Sequence, residues 1–115
     1  MRMIVAIIQP TKLSAVRDAL RELEVQSLTV CDAMGYGRQR GQIASFRGNE
    51  YRVDLLRKIE LEILVREELV EPTIATIRRH ALTGSEGQIG DGKIFVLPVA
   101  DAIDIATGAD GSDAL

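Results

Sequence analysis

The stretch "LLRKIELEILV", Leu55 to Val65, alternates along its length: Ile59, Leu61, Ile63 and Val65 fall on one face, and Lys58, Glu60 and Glu62 on the other. A period of two over this length marks a strand with one buried face. Such a strand needs partners, and the flanking sequence supplies them. Upstream, "RMIVAIIQ" (2–9) is β-branched and apolar on both faces, as a central strand is. Pro10 ends it, and Thr11 is placed to cap a helix from about Lys12 to Leu23. Leu13, Val16, Leu20 and Leu23 form a single apolar stripe on that helix. Val25 to Tyr36 mixes β-branched and polar residues and predicts a second strand.

Downstream, a second helix is expected from about Glu67 to Leu82. Glu67, Glu68 and Glu71 at its start and Arg78, Arg79 and His80 at its end match the helix dipole. Val70, Ile74, Ile77 and Ala81 make its buried stripe; Pro72 is tolerable only in the first turn, and Gly84 is a natural stop. "GSEGQIGDG" (84–92) is a glycine-rich loop, and "KIFVLPV" (93–99) a fourth strand. The tail, 101–115, holds one short apolar piece, "AIDIAT", before a polar end.

The order β-α-β-β-α-β predicts an α+β, ferredoxin-like sandwich: a four-stranded antiparallel sheet with both helices on one face, in one domain spanning 1–115. The other sheet face is left open, yet the first strand is apolar on both faces. An oligomer that covers the open face resolves the conflict.

Composition narrows the function. Net charge is −3, Cys31 and His80 are single, and Trp is absent. These exclude a disulfide framework, a Cys/His metal spacing, a nucleic-acid stacking platform and a global basic footprint. No apolar run is long enough to cross a membrane, and the start lacks a signal-peptide pattern, so a cytoplasmic protein is expected. No catalytic constellation is assembled around His80 or Cys31, so an enzyme is not expected. The middle of the chain is locally basic: Arg38, Arg40, Arg47, Arg52, Arg57 and Lys58 face only Glu50 and Asp54. A basic patch in an acidic chain suits a small anion or an acidic partner surface.

Five stretches carry a resemblance: "MRMIVAIIQPTKLSAVRDAL", "LTVCDAMGYGRQRG", "FRGNEYRVDLLRKIELEI", "IGDGKIFV" and the closing "TGADGSDAL". In this order and spacing they resemble the nitrogen-regulatory PII signalling family over nearly the whole chain. The resemblance implies a homotrimer that binds adenine nucleotides in clefts between subunits, often with 2-oxoglutarate. It also implies that a target protein is controlled through a long exposed loop, here 38–54 between the second and third strands of the sheet.

The site residues follow from that resemblance. Gly90, Asp91, Gly92 and Lys93 match the phosphate-side nucleotide loop; on the residues alone, a plain β-connection is the better reading of this motif. Gly35, Gly37 and Arg38 match nucleotide-lining positions, and Ile7, Thr29 and Leu64 match positions around the adenine, where ordinary core or strand roles fit equally. Gln39 matches a residue that helps hold magnesium when ATP and 2-oxoglutarate are bound. Lys58 matches the partner of the 2-oxoglutarate carboxylate. No prosthetic group is implied. Tyr51 matches the tyrosine that some members carry as a modification acceptor. Phe46 and Asn49 depart from that motif, so an unmodified contact residue is the stronger reading.

Two further departures bear on the ligand. "DIATG" puts Asp104 and Ala106 where the family has two phosphate-binding arginines. Charge-assisted bonds to phosphate are worth about 1.5–3 kcal/mol each, so ADP and AMP should be favoured over ATP. The loop "TGSEGQIGDG" is also longer than the family's, by about three residues. Divergent relatives linked to carboxysomes and carbon metabolism sense bicarbonate with ADP or AMP, and Gln39, Arg40 and Lys58 suit bicarbonate as well as 2-oxoglutarate. A purely structural ferredoxin-like trimer is the alternative of another class.

Overall fold

The computed structural model describes residues 1–25, 27–35 and 55–115 in full, and the backbone of residues 44–46 and 49–51. Strand β1 is Arg2–Ile8, helix α1 Leu13–Glu22, β2 Thr29–Gly35, β3 Ala44–Phe46, β4 Asn49–Tyr51, β5 Leu56–Val65, α2 Glu67–Ala81 and β6 Gly92–Pro98. β1, β2, β5 and β6 form one sheet in the order β2-β5-β1-β6, and every neighbouring pair is antiparallel. This is the ferredoxin-like arrangement that the alternation in 55–65 predicts.

Parity along the central strands decides which face is buried. On β1, Ile4, Ala6 and Ile8 are sealed under the helices; on β5, Ile59, Leu61, Ile63 and Val65 lie beside them. Val16 and Leu20 of α1 and Val70, Ile77 and Ala81 of α2 close this core from above. The alternate residues form the open face: Met3, Val5 and Ile7 on β1, Glu60, Glu62 and Leu64 on β5, and Lys93, Phe95 and Leu97 on β6. Phe95 and Leu97 remain exposed there.

The helix ends differ from the sequence expectation in instructive ways. Thr11 does not cap α1. Pro10–Lys12 instead form a 3-10 turn closed by the Lys12 N–H to the Gln9 carbonyl, 3.0 Å, and α1 starts without a side-chain cap. Proline's fixed φ builds that turn directly, so the backbone does what the hydroxyl was expected to do. At the other end Glu24 adopts φ 67°, with its N–H on the Arg21 carbonyl and the Val25 N–H on the Leu20 carbonyl. That paired pattern is a Schellman motif, here with glutamate in the position glycine usually takes. It turns Val25 back onto the core and so shortens β2, which begins at Thr29 rather than Val25.

α2 begins at Glu67, so Pro72 is its sixth residue and lies in the second turn, not the first. Its missing N–H leaves the Glu68 carbonyl without a helical partner; both residues are exposed, so water can replace it. One turn position of the stripe also shifts: Thr73 is fully buried and Ile74 only partly. The helix ends because Leu82 becomes extended, and Gly84, at φ 67°, serves the following turn. Within the stretch expected to be an irregular loop, β3 and β4 pair as antiparallel strands, Ala44 opposite Tyr51 and Phe46 opposite Asn49. Alternation over three residues is too short to be read as a strand in a polar, glycine-containing segment.

Candidate functional site

The site grows from the end of the sheet where β1 stops and β6 starts. Gly92 stands opposite Ile8 and Lys93 opposite Ile7. At Gly92 the backbone has φ 119°, and a Cβ there would lie 1.7 Å from the Ile7 carbonyl oxygen. Only glycine allows the loop to enter β6 this close to β1. The entry sets Lys93 on the open face beside Ile7, and among the described residues Lys93 has no ion pair.

Lys58 braces the same corner from β5. It is 9% exposed, and its ammonium donates to the Gly90 carbonyl oxygen at 2.8 Å. Gly35, at the end of β2, lies against its stem: a Cβ added there would meet Lys58 Cγ at 3.8 Å, ordinary contact. So Gly35 is close to this lysine without being required by it.

Asp91 faces its own loop. Its carboxylate accepts the Thr83 hydroxyl at 2.5 Å, the Gln88 N–H at 2.8 Å and the Thr83 N–H at 3.0 Å. Burial would raise its pKa, but the Thr83 hydroxyl, the two N–H groups and the charge of Lys12 together hold it below the ordinary carboxylate value. Asp91 therefore ties both ends of 83–91 to one another and so fixes the exit of the loop into Gly92.

A cavity of about 360 Å³ lies at this corner, lined by Ile7, Ile77, Arg78, Asp91, Gly92 and Lys93 among others. Four residues expected at the nucleotide site, Ile7, Asp91, Gly92 and Lys93, thus meet at one place, with Gly35, Lys58 and Gly90 adjoining. Arg78 was not anticipated. Its position four residues after Ile74, on the flank of the apolar stripe, was the signal that could have found it.

Thr29 and Leu64 lie elsewhere. Thr29 stands opposite Glu62, and Leu64 opposite Met3. Ile7 and Met3 are four residues apart on β1, about 13 Å at the usual rise of a strand. Leu64 lines a second cavity of about 310 Å³ with Leu23, Val25, Leu69 and the terminal Leu115. Leu64 is therefore toward the opposite end of β1 from Ile7, while Thr29 sits in the middle row, beside Glu62, on the edge strand farthest from Lys93. Gly37, Arg38, Gln39 and Arg40 fall outside the described residues. Tyr51 ends β4, whose backbone alone is described.

The tail residue Asp104 has a local role. Its carboxylate takes the Thr107 N–H at 2.9 Å and the Thr107 hydroxyl at 3.2 Å, and these bonds hold its pKa below the ordinary value. The backbone closes the same turn, with the Asp104 N–H on the Ala109 carbonyl and the Gly108 N–H on the Asp104 carbonyl, 2.8 Å each. Ile105 beside it is fully exposed.

Sheet order, one-sided helices and a glycine corner bearing two lysines define a ferredoxin-like protein with a basic turn at the end of its central strands. The family model described as Nitrogen regulatory protein P-II matches residues 1–109. The chain is 50% identical to the Nitrogen regulatory protein P-II of Bradyrhizobium diazoefficiens and 46% identical to that of Azospirillum brasilense, over 115 residues and the full length of both chains in each case. It is 44% identical to Nitrogen regulatory protein GlnK1 of Methanosarcina mazei, over all of this chain and 97% of that one. The chain belongs to the nitrogen-regulatory P-II family. Proteins of this family are regulatory signal transducers that respond to small effectors and act on target proteins. Among the described residues no helix is long and apolar enough to cross a membrane.

Proposed function

We propose that this chain is a cytoplasmic P-II signal transducer, not an enzyme, that binds an adenine nucleotide in clefts between copies of a homotrimer. ADP and AMP are favoured over ATP. A small anion, 2-oxoglutarate or bicarbonate, binds beside the nucleotide through Lys58 with Gln39 and Arg40, and magnesium accompanies ATP. Occupancy is passed to a target protein of nitrogen or carbon metabolism through residues 38–54.

The observation that carries this reading is the division of the expected ligand residues into two sets. The glycine corner with Lys93, Lys58 and Ile7 lies where β1 stops and β6 starts, whereas Leu64 stands opposite Met3 toward the other end of β1 and Thr29 is on β2, the edge strand farthest from Lys93. A ligand that uses both sets needs a second copy of the chain, and the exposed Phe95 and Leu97 on the open face give that copy an apolar surface to cover. The ADP and AMP preference rests on the tail: Asp104 offers a carboxylate engaged in its own turn, and Ala106 offers no charge.

Isothermal titration with ATP, ADP and AMP tests this, each with and without magnesium, 2-oxoglutarate and bicarbonate. Saturable ADP or AMP binding at one site per chain, tighter than magnesium-ATP, is expected. Size-exclusion with light scattering should give a trimer. Absence of any nucleotide-dependent rise in melting temperature would favour a purely structural assembly, since a ligand that binds the native state must raise it.

A further inference from the structure

We propose that Cys31, Glu60 and Glu62 form a binding site for one thiophilic divalent cation of the zinc class on the open face of the sheet. Glu60 stands opposite Ile7 and Glu62 opposite Thr29, so the site borders the residues expected around the nucleotide and is probed on the nucleotide-free chain. Its residues come from two strands that are neighbours only in the fold. Cys31 on β2 stands directly opposite Glu60 on β5, and Glu62 follows two residues along the same face. The thiol and one oxygen of each carboxylate all lie within 4.8 Å of one another.

Zinc binds thiolate at about 2.3 Å and carboxylate oxygen at about 2.0–2.2 Å, which puts tetrahedral ligand atoms about 3.4–3.7 Å apart. The present spacing closes to that by rotation of the glutamate side chains, without moving a strand. Mixed sulfur and oxygen donors select against magnesium and calcium, which take oxygen alone, and suit zinc or cobalt. Three protein donors leave a fourth position for water.

The electrostatics favour a cation independently of the spacing. All three residues are half-buried, and among the described residues neither Glu60 nor Glu62 has an ion pair or a hydrogen bond. Two carboxylates held on one strand face, partly withdrawn from water, repel one another. Lys58, the preceding residue on that face of β5, donates to Gly90. A divalent ion bound to the thiolate cancels the accumulated charge. Sequence spacing does not reveal the site, because Cys31 and Glu60 are brought together only by the β2–β5 register.

The test is titration of cobalt(II), then zinc, into the full chain under a non-chelating reductant. One cobalt per chain is expected, with a near-ultraviolet thiolate-to-cobalt charge-transfer band that zinc abolishes by displacement, and with a raised melting temperature. Cys31→Ser should remove the band and weaken binding about tenfold or more. Glu60→Gln should retain a band and weaken binding by a similar factor. The metal-free melts of both variants report folding; should Cys31→Ser not fold, Glu60→Gln and Glu62→Gln carry the test. Absence of the band, unchanged affinity in the folded variants, or one cobalt per three chains would overturn the proposal.

Discussion

Replacing Gly92 with alanine puts the corner's geometry to a quantitative test. The new Cβ would lie 1.7 Å from the Ile7 carbonyl oxygen, 2.8 Å from its carbon and 3.3 Å from Ile8 Cα. A relaxed carbon–oxygen contact is about 3.2 Å or more, so the chains must separate by roughly 1.5 Å. The obstacle is backbone of the central strand, which β5 holds in register on its other side, so β6 must move. Freeing its first one or two ladder bonds costs about 0.5–1.5 kcal/mol each. The backbone angle of 119° adds about 1–3 kcal/mol for a residue with a side chain. A loss of about 2–5 kcal/mol follows, a large part of the 5–15 kcal/mol typical of a domain. Gly84→Ala is the control: its φ is 67°, but nothing lies within 4 Å of the added Cβ, so only about 1–2 kcal/mol of backbone strain is expected. Urea denaturation of the three proteins, with slopes compared, gives the numbers. Where Gly92→Ala still folds, Lys93 is displaced from Ile7 and nucleotide affinity falls. A Gly92→Ala stability within about 0.5 kcal/mol of the parent, or equal to that of Gly84→Ala, would refute the close approach of β1 and β6.

Other consequences are open to direct measurement. Asp91→Asn should cost about 1–2 kcal/mol at neutral pH, after discounting for partial exposure. Because the folded pKa of Asp91 lies below its ordinary value of 3.8, its contribution is complete above that pH and fades as pH falls through the folded pKa; the difference between parent and variant in acid titrations should shrink accordingly. A gap unchanged well below pH 3.8 would contradict the assignment. Glu24→Gly should stabilise the chain by about 0.5–1 kcal/mol, since glycine relieves the strain at φ 67° more than it costs in chain entropy; thermal melts would show it, and a loss of stability would argue against the Schellman turn. Ala106→Arg leaves the Asp104–Thr107 turn in place and, on the proposed function, adds one cation directed at the nucleotide phosphates. It should raise ATP affinity about tenfold while changing that for AMP little, as calorimetry would report.

The fold was legible because its central elements are strongly patterned. Alternation in β5 and the two-sided apolar run of β1 locate the middle of the sheet before any pairing is known. What stayed hidden was decided by backbone geometry. Thr11 looked like a cap, but Pro10 built the turn without it. Val25 looked like strand, but a left-handed Glu24 turned it onto the core. Thr73 is buried in place of Ile74 because the stripe drifts over a helix of four turns. The glycine corner was found as residues but not as geometry: nothing in "IGDGKIF" says that Gly92 must clear a carbonyl or that Asp91 serves its own loop. The triad of Cys31, Glu60 and Glu62 was invisible for the opposite reason, since strand register, which no local pattern fixes, brings its members together.

The separation of Lys93 and Ile7 from Thr29 and Leu64 has a genetic meaning. With a cleft shared between neighbours, two different defective chains can repair one another. Chains carrying Lys93→Ala and chains carrying Leu64→Asp are each inert alone, because every cleft inherits the same damage. Refolded together in equal amounts, they place an intact corner against an intact opposite end in about one cleft in four. A site contained in one chain could never recover this way. Restored binding in the mixture would thus show that the unit of inheritance and the unit of sensing are different objects in this protein.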